Sequence, residues 1–92
     1  MEHKEYNGYT NYETWLIGLW IDNDEGLSNM FRRDIDADDD KETAIDDLAD
    51  EMKQYFEDEM PKVDVFWADF LYSAFSEIDW ADLADGRIEK SE

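Results

Sequence analysis

Between Asp34 and Glu59 the chain carries thirteen acidic residues against two lysines, a local net charge of −11. Carboxylates about 6 Å apart repel by roughly 0.7 kcal/mol even in bulk water. A stretch this dense opposes compaction, so stability alone would not select it. The flanks are far less lopsided: residues 1–33 sum to −3 and residues 60–92 to −5, which completes the −19 of the whole chain. The charge points to a partner, and the simplest is a protein surface that normally holds nucleic acid.

The rest of the composition says that this charge decorates a folded protein. With 42% hydrophobic and 15% aromatic residues the chain is too apolar for a disordered acidic tail. Its 92 residues make one domain, residues 1–92, with room for one modest core. Five Phe, five Tyr and four Trp supply the volume for it. The absence of cysteine excludes a disulfide framework and a thiolate metal site, and agrees with a reducing compartment such as the cytoplasm. Met1-Glu2-His3-Lys4-Glu5 offers no apolar core for a signal peptide. The longest apolar run, Trp15 to Ile21, is seven residues, where a membrane span needs about 20. Phosphate groups of DNA, RNA or anionic lipid would be repelled, so the expected partner is basic, or a cation. No cofactor is expected.

Periodicity predicts an all-α fold: a small bundle of about four helices plus a short C-terminal one, around an aromatic-rich core. Residues 1–9 and 90–92 read as flexible ends. Thr10-Asn11-Tyr12-Glu13 has the form of a capping box with Thr10 as the cap, opening a first helix that runs to about Asp22. Its Trp15, Leu16, Ile17, Leu19, Trp20 and Ile21 cover most of its circumference, which predicts burial on nearly every side. The turn formers Asp22 to Gly26 break it. A short second helix through Leu27, Met30 and Phe31 would carry Arg32 and Arg33 in its last turn. Asp39 with Glu42 reads as the next cap, and a third helix follows from about Asp40 to Glu59. Ile45, Leu48, Met52, Tyr55 and Phe56 give that helix one inward stripe. Pro61 suits the first turn of a fourth helix, whose Val63, Phe66, Trp67, Phe70, Leu71, Ala74 and Phe75 form a wide apolar face. Ile78-Asp79-Trp80 opens the last helix, with Leu83 inward and Gly86 as its C-cap. No segment alternates long enough to read as a strand.

The string TNYETWLIGLWIDNDEG at residues 10–26 resembles the opening signature of a group of small phage and mobile-element proteins, and a stretch of ArdA-type antirestriction proteins. The string EIDWADLA at residues 77–84 is similar to the second signature of that group, in which Asn more often stands where this chain has Asp79. The resemblance implies a phage or plasmid setting. ArdA-type proteins are acidic mimics of duplex DNA that block restriction enzymes, which agrees with the charge argument. The matching residues read as structural, with Trp15, Leu19, Trp20 and Trp80 as core, so none is carried over as a functional residue.

The candidate binding residues come from the acidic middle instead. Asp46, Asp50 and Glu57 share one outward lane of the third helix, and Asp47, Glu51 and Asp58 the adjacent one. Asp36, Asp38, Asp39, Asp40, Glu42 and Glu59 flank them. Duplex DNA presents one negative charge per ~1.7 Å of axis, so two such lanes imitate a few phosphates of each strand. The competing reading is an ordinary solvated face, or the acidic surface of a halophile's protein. Asp36, Asp38 and Asp40 have the spacing of a calcium loop start, but Lys41 stands where the loop glycine belongs and Asp47 where its last ligand, Glu, belongs. The single histidine, His3, lies in the N-terminal lead-in, which leaves no Ser-His or Cys-His nucleophile system. Tyr6, Tyr9, Tyr12, Tyr72 and Phe31 either close the ends of the bundle or make an exposed hot spot; two or more exposed together would favour a dimer or partner interface. The expected protein is a non-enzymatic antidefence inhibitor that mimics DNA on a restriction or CRISPR nuclease. The alternatives are an acidic module for another basic nucleic-acid-binding partner and a charge-rich homo-oligomer subunit.

Overall fold

An Asn or Asp residue stands directly before each of the five helices found among the described residues, 6–91, of the computed structural model. Asn11 opens α1 (Tyr12–Asp22), Asp24 opens α2 (Glu25–Met30), Asp40 opens α3 (Lys41–Glu59), Asp64 opens α4 (Val65–Ser76) and Asp79 opens α5 (Trp80–Asp85). Four of these side chains accept a backbone N–H of the first turn, at 2.9 Å for Asn11, 3.0 Å for Asp24 and Asp79 and 3.1 Å for Asp40. Such a cap contributes about 1 kcal/mol, and an anion there also suits the helix dipole. Part of the acidic excess therefore serves local structure. Asp64 makes no cap bond, which leaves α4 the exception.

Two caps differ from the sequence reading by one residue. Asn11, not Thr10, caps α1, and Asp40, not Asp39, caps α3. In each case the neighbour has another task. The Thr10 hydroxyl lies 2.9 Å from Asp79 Oδ2 and 3.0 Å from Asp82 Oδ2, and Asp39 accepts the Asp36 N–H at 2.8 Å. α2 stops at Met30, so Arg32 and Arg33 fall beyond it. Arg33 still turns back to donate to the Met30 carbonyl at 2.6 Å.

The fold is mostly helical but not purely so. β1 (Arg33–Ile35) and β2 (Ile88–Lys90) form a two-stranded parallel sheet with Arg33 opposite Ile88, Asp34 opposite Glu89 and Ile35 opposite Lys90. The whole α3–α5 segment is the crossover between them. Lys90 is thus in a strand rather than a frayed end, and the Ser91 N–H adds a 2.9 Å bond to the Ile35 carbonyl. Glu92 and residues 1–5 lie outside the described residues. Residues 6–9 form a tight turn: Tyr6 and Tyr9 exchange two backbone hydrogen bonds across Asn7 (φ 47°) and Gly8 (φ 89°). An Asn-Gly pair with both φ positive is the preferred two-residue hairpin turn.

The core is Ile21, Phe31, Leu48, Ala49, Met52, Leu83, Ala84 and Ile88. It lies where α3 packs on α5 over the small sheet, with α1 and α2 closing the other side. Ile45, Tyr55 and Phe56 extend the α3 stripe as half-buried neighbours, as its periodicity requires. Phe31 is fully buried and packs edge-on against Tyr55 at 5.6 Å. No residue of α4 belongs to this core. The molecule is correspondingly drawn out, 48 × 28 × 23 Å, with a radius of gyration of 14.2 Å. A compact chain of this length would have about 12 Å.

Candidate partner-binding surface

α3 turns its charge outward. Its core side is set by Ile45, Leu48, Met52, Tyr55 and Phe56. The opposite side therefore carries Asp46, Asp50 and Glu57 in one lane and Asp47, Glu51 and Asp58 in the next, all of them exposed. The 19-residue helix is about 28 Å long, and each lane spans roughly 16 Å of it. Lys53 falls beside the first lane and interrupts it. Glu51 pairs with Arg33 of β1, and Asp58 accepts from Gln54 Nε2 at 2.9 Å. Asp36, Asp38, Asp39, Asp40 and Glu42 gather at the N-terminal end of α3, also exposed. Two of them are engaged locally: Asp39 closes the 36–39 turn, and Asp40 holds both the Glu42 N–H and the Thr43 hydroxyl. Glu59 stands apart. It lies on the core-facing side of α3 and is exposed because the core ends before it. Asp36, Asp38 and Asp40 do not converge, and no group of three or more acidic or histidine side chains among the described residues is placed to hold a metal ion.

A second surface lies on α4, whose wide apolar face is covered only in part. Val63, Phe66, Trp67 and Phe70 lie open to solvent rather than in the aromatic core expected of the bundle. They are 43%, 67%, 55% and 62% exposed, joined by Val65 at 79% and Tyr72 at 55%. Only Ala68, Leu71, Ala74 and Phe75 are partly covered. Pro61 does not open α4: residues 60–64 run on as irregular chain and the helix begins at Val65. Apolar residues surround the helix, and the side it turns inward is the narrow lane of Ala68, Leu71 and Phe75. That side borders an apolar cleft of about 180 Å³ lined by Glu13, Leu16 and Ile17 of α1 and by Met60, Leu71, Ala74, Phe75 and Ile78. Outside, Trp67 packs on Phe66 and Phe70 with ring centres 5.1 and 6.3 Å apart, an aromatic group open to solvent.

α1 is also less enclosed than its composition suggests. Thr14, Gly18 and Ile21 are buried, whereas Leu19 and Trp20 are exposed and Trp15 is half-buried. Trp15 packs against Tyr6 and Tyr12, both exposed. Of the five aromatics considered together, Phe31 is core and Tyr9 is half-buried. Tyr6, Tyr12 and Tyr72 are exposed. The exposed aromatics of α4 that the sequence reading missed had a legible signal: Val65-Phe66-Trp67 and Phe70-Leu71-Tyr72 point apolar residues to every side of a helix that a chain of 92 residues has too little core to cover.

The two signature strings are joined to each other. The Thr10 N–H donates to Asp82 Oδ2 at 2.9 Å, and Asn11 Nδ2 donates to the Glu77 carbonyl at 2.6 Å. The buried Thr14 hydroxyl donates to Asn11 Oδ1 at 2.6 Å and accepts the Asp79 N–H at 2.9 Å. These residues clamp the start of α1 to the start of α5, a structural task. Arg87 adds a second clamp: its guanidinium, with the side chain 10% exposed, donates to the Leu83 and Gly18 carbonyls and pairs with Asp22 at 2.9 Å.

Geometry thus defines a small, mostly helical, acidic protein with a charged helix face and a separate aromatic one. A family model matches residues 2–92, and the chain belongs to that family, a family of unknown function (DUF7249). Among curated proteins and among solved structures, none matches the chain. No helix among the described residues is long and apolar enough to cross a membrane.

Proposed function

We propose that the protein works by binding, without catalysis, and that it occupies the basic surface on which another protein holds duplex nucleic acid. The observation that carries this reading is the outer side of α3: two parallel lanes of exposed carboxylates on a helix anchored by the core. Two lanes on adjoining sides of the helix, each with three negative charges over roughly 16 Å, offer lysines and arginines the sign and coarse spacing of a duplex backbone. The acidic turn at residues 36–40 prolongs the field at one end of the helix. Competition follows from charge: the partner's cations pair with carboxylates in place of phosphates, association is steered and fast, and added salt weakens it. The resemblance of residues 10–26 to small phage and ArdA-type antirestriction proteins, and of residues 77–84 to the phage group, supports the setting proposed, an inhibitor of a host restriction or CRISPR nuclease in the bacterial cytoplasm.

The test is a variant that removes charge but not structure. Asp46→Asn, Asp47→Asn, Asp50→Asn, Glu57→Gln and Asp58→Asn are made together, and Glu51 is kept because it anchors Arg33. The wild type is expected to protect phage DNA from a host nuclease and to retain that nuclease in a pull-down. The five-fold variant should lose both by tenfold or more while its far-UV circular dichroism is unchanged. Undiminished protection by the variant overturns duplex mimicry by α3. Recovery of nucleoid or replication proteins in place of nuclease subunits would favour the alternative basic partner.

A further inference from the structure

We infer that the cleft between β1 and α3 is a recess for one arginine side chain of the basic partner, an anchor point within the acidic face. The inference rests on the reading of α3 as a face for a basic protein, and adds the residue type that seats there. The cleft measures about 180 Å³ and is lined by Arg33 and Ile35 of β1 and by Ala44, Asp47, Leu48 and Glu51 of α3. Pockets for small molecules hold about 300–1,000 Å³, so this one has room for a single side chain.

Its lining residues share one side of each element. Ala44, Asp47, Leu48 and Glu51 stand at i, i+3, i+4 and i+7 of the helix, and Arg33 and Ile35 at i and i+2 of the strand. Apolar and charged groups are sorted by depth. Leu48 is part of the core and Ile35 and Ala44 pack against it, whereas Asp47 and Glu51 are exposed. The inner end of the cleft is thus apolar and its mouth anionic. That is the order of a long basic side chain, an apolar stem carrying a cationic head.

The chain already holds one guanidinium at this mouth. Arg33 Nη2 donates to Glu51 Oε2, while Nη1 is fixed by the Met30 and Arg32 carbonyls at 2.6 and 3.0 Å. Capacity remains for a second. Neither Asp47 nor Glu51 Oε1 has a hydrogen bond or ion pair among the described residues. Residues four apart on a helix have Cβ atoms about 5–6 Å apart, so one planar guanidinium with its five N–H donors reaches both carboxylates. Glu51 then lies between two guanidiniums. A lysine ammonium, a compact and strongly hydrated point charge, matches this forked acceptor less well. The −11 of residues 34–59 favours the approach of any cation and opposes an acidic peptide.

NMR titration of the isotope-labelled full chain with a blocked Gly-Arg-Gly tripeptide tests this. Salt of about 0.15 M sets a screening length of ~8 Å and suppresses the distant field. The peptide is expected to shift the amides of residues 33–35 and 44–51 saturably. Its arginine methylenes should show NOEs to the methyls of Ile35, Ala44 and Leu48. The citrulline counterpart, equal in length but uncharged, should bind about tenfold more weakly. Asp47→Asn should weaken the arginine peptide by about threefold, whereas Asp69→Asn, the same loss of one charge on α4, should not. Ala44→Leu keeps every carboxylate but fills the cleft, so the NOEs and the preference for arginine over citrulline should both disappear. Citrulline that binds as well as arginine, or an Ala44→Leu chain that binds the arginine peptide like the wild type, overturns the inference. Neither result bears on duplex mimicry, which stands or falls on nuclease protection by the five-fold variant.

Discussion

Thr14 shows how much one hydroxyl can hold. It is fully buried, donates to the residue that caps α1 and accepts the N–H of the residue that caps α5. Removing it orphans the Asp79 amide and loosens Asn11, which itself reaches the Glu77 carbonyl. Thr14→Val fills nearly the same space without the hydroxyl. A buried donor left unsatisfied costs about 1–3 kcal/mol, and this variant should lose an amount in that range. A urea titration checks it: the midpoint should fall while the slope stays the same, since the surface exposed on unfolding is unaltered. Little of this network was legible in advance. Thr10-x-x-Glu13 fits a capping box as well as Asn11-x-x-Thr14 fits an Asx cap, and only the arrival of Asp79 and Asp82 from 69 or more residues away decides between them. Local pattern brackets a helix start to within a residue; the tertiary partner chooses the residue.

Elements were readable in proportion to how much their own residues settle. α3 was, because a single apolar stripe and a dense acidic remainder leave one orientation open, and its bounds came within a residue. The strands were not: three residues each, Arg33–Ile35 and Ile88–Lys90 have no room for an alternating pattern, and each exists because the other is there. α4 was placed as a helix, but its burial was misjudged, since apolar residues on all sides name no inward direction. The acidic candidates followed α3 and are exposed; the aromatic face was lost with the orientation of α4. In α1 the decisive residue is Gly18. A methyl group there would sit 3.1 Å from the Tyr9 hydroxyl and 3.2 Å from a Leu83 methyl, so the glycine lets Tyr9 and α5 approach the helix. Gly18→Ala gains about 1 kcal/mol in helix propensity, yet overpacking costs about 1–3 kcal/mol. Both neighbours are confined, Leu83 fully buried and Tyr9 held by the Asn7-Gly8 turn. The expected net is a loss of up to about 2 kcal/mol, read as a lower thermal midpoint.

At the scale of the molecule, function and stability pull on the same charges. Only part of the acidic set is engaged in caps and ion pairs, and the outer lanes of α3 repel one another through solvent. At an ionic strength of about 0.01 M the screening length is roughly 30 Å, comparable with the whole protein, and near 1 M it falls to about 3 Å. Salt should therefore stabilise this fold, whereas it would weaken any complex made by the α3 lanes with a basic partner. Relief of about 1 kcal/mol raises the melting temperature of a domain this size by roughly 4–8 °C. A rise of that order between low and high sodium chloride is expected. The five-fold neutral variant of α3 should start from a higher melting temperature at low salt and gain less from added salt. The difference between the two salt slopes then measures the self-repulsion that α3 carries. Equal slopes would mean that its carboxylates cost the fold nothing, and that their crowding asks for no partner to explain it.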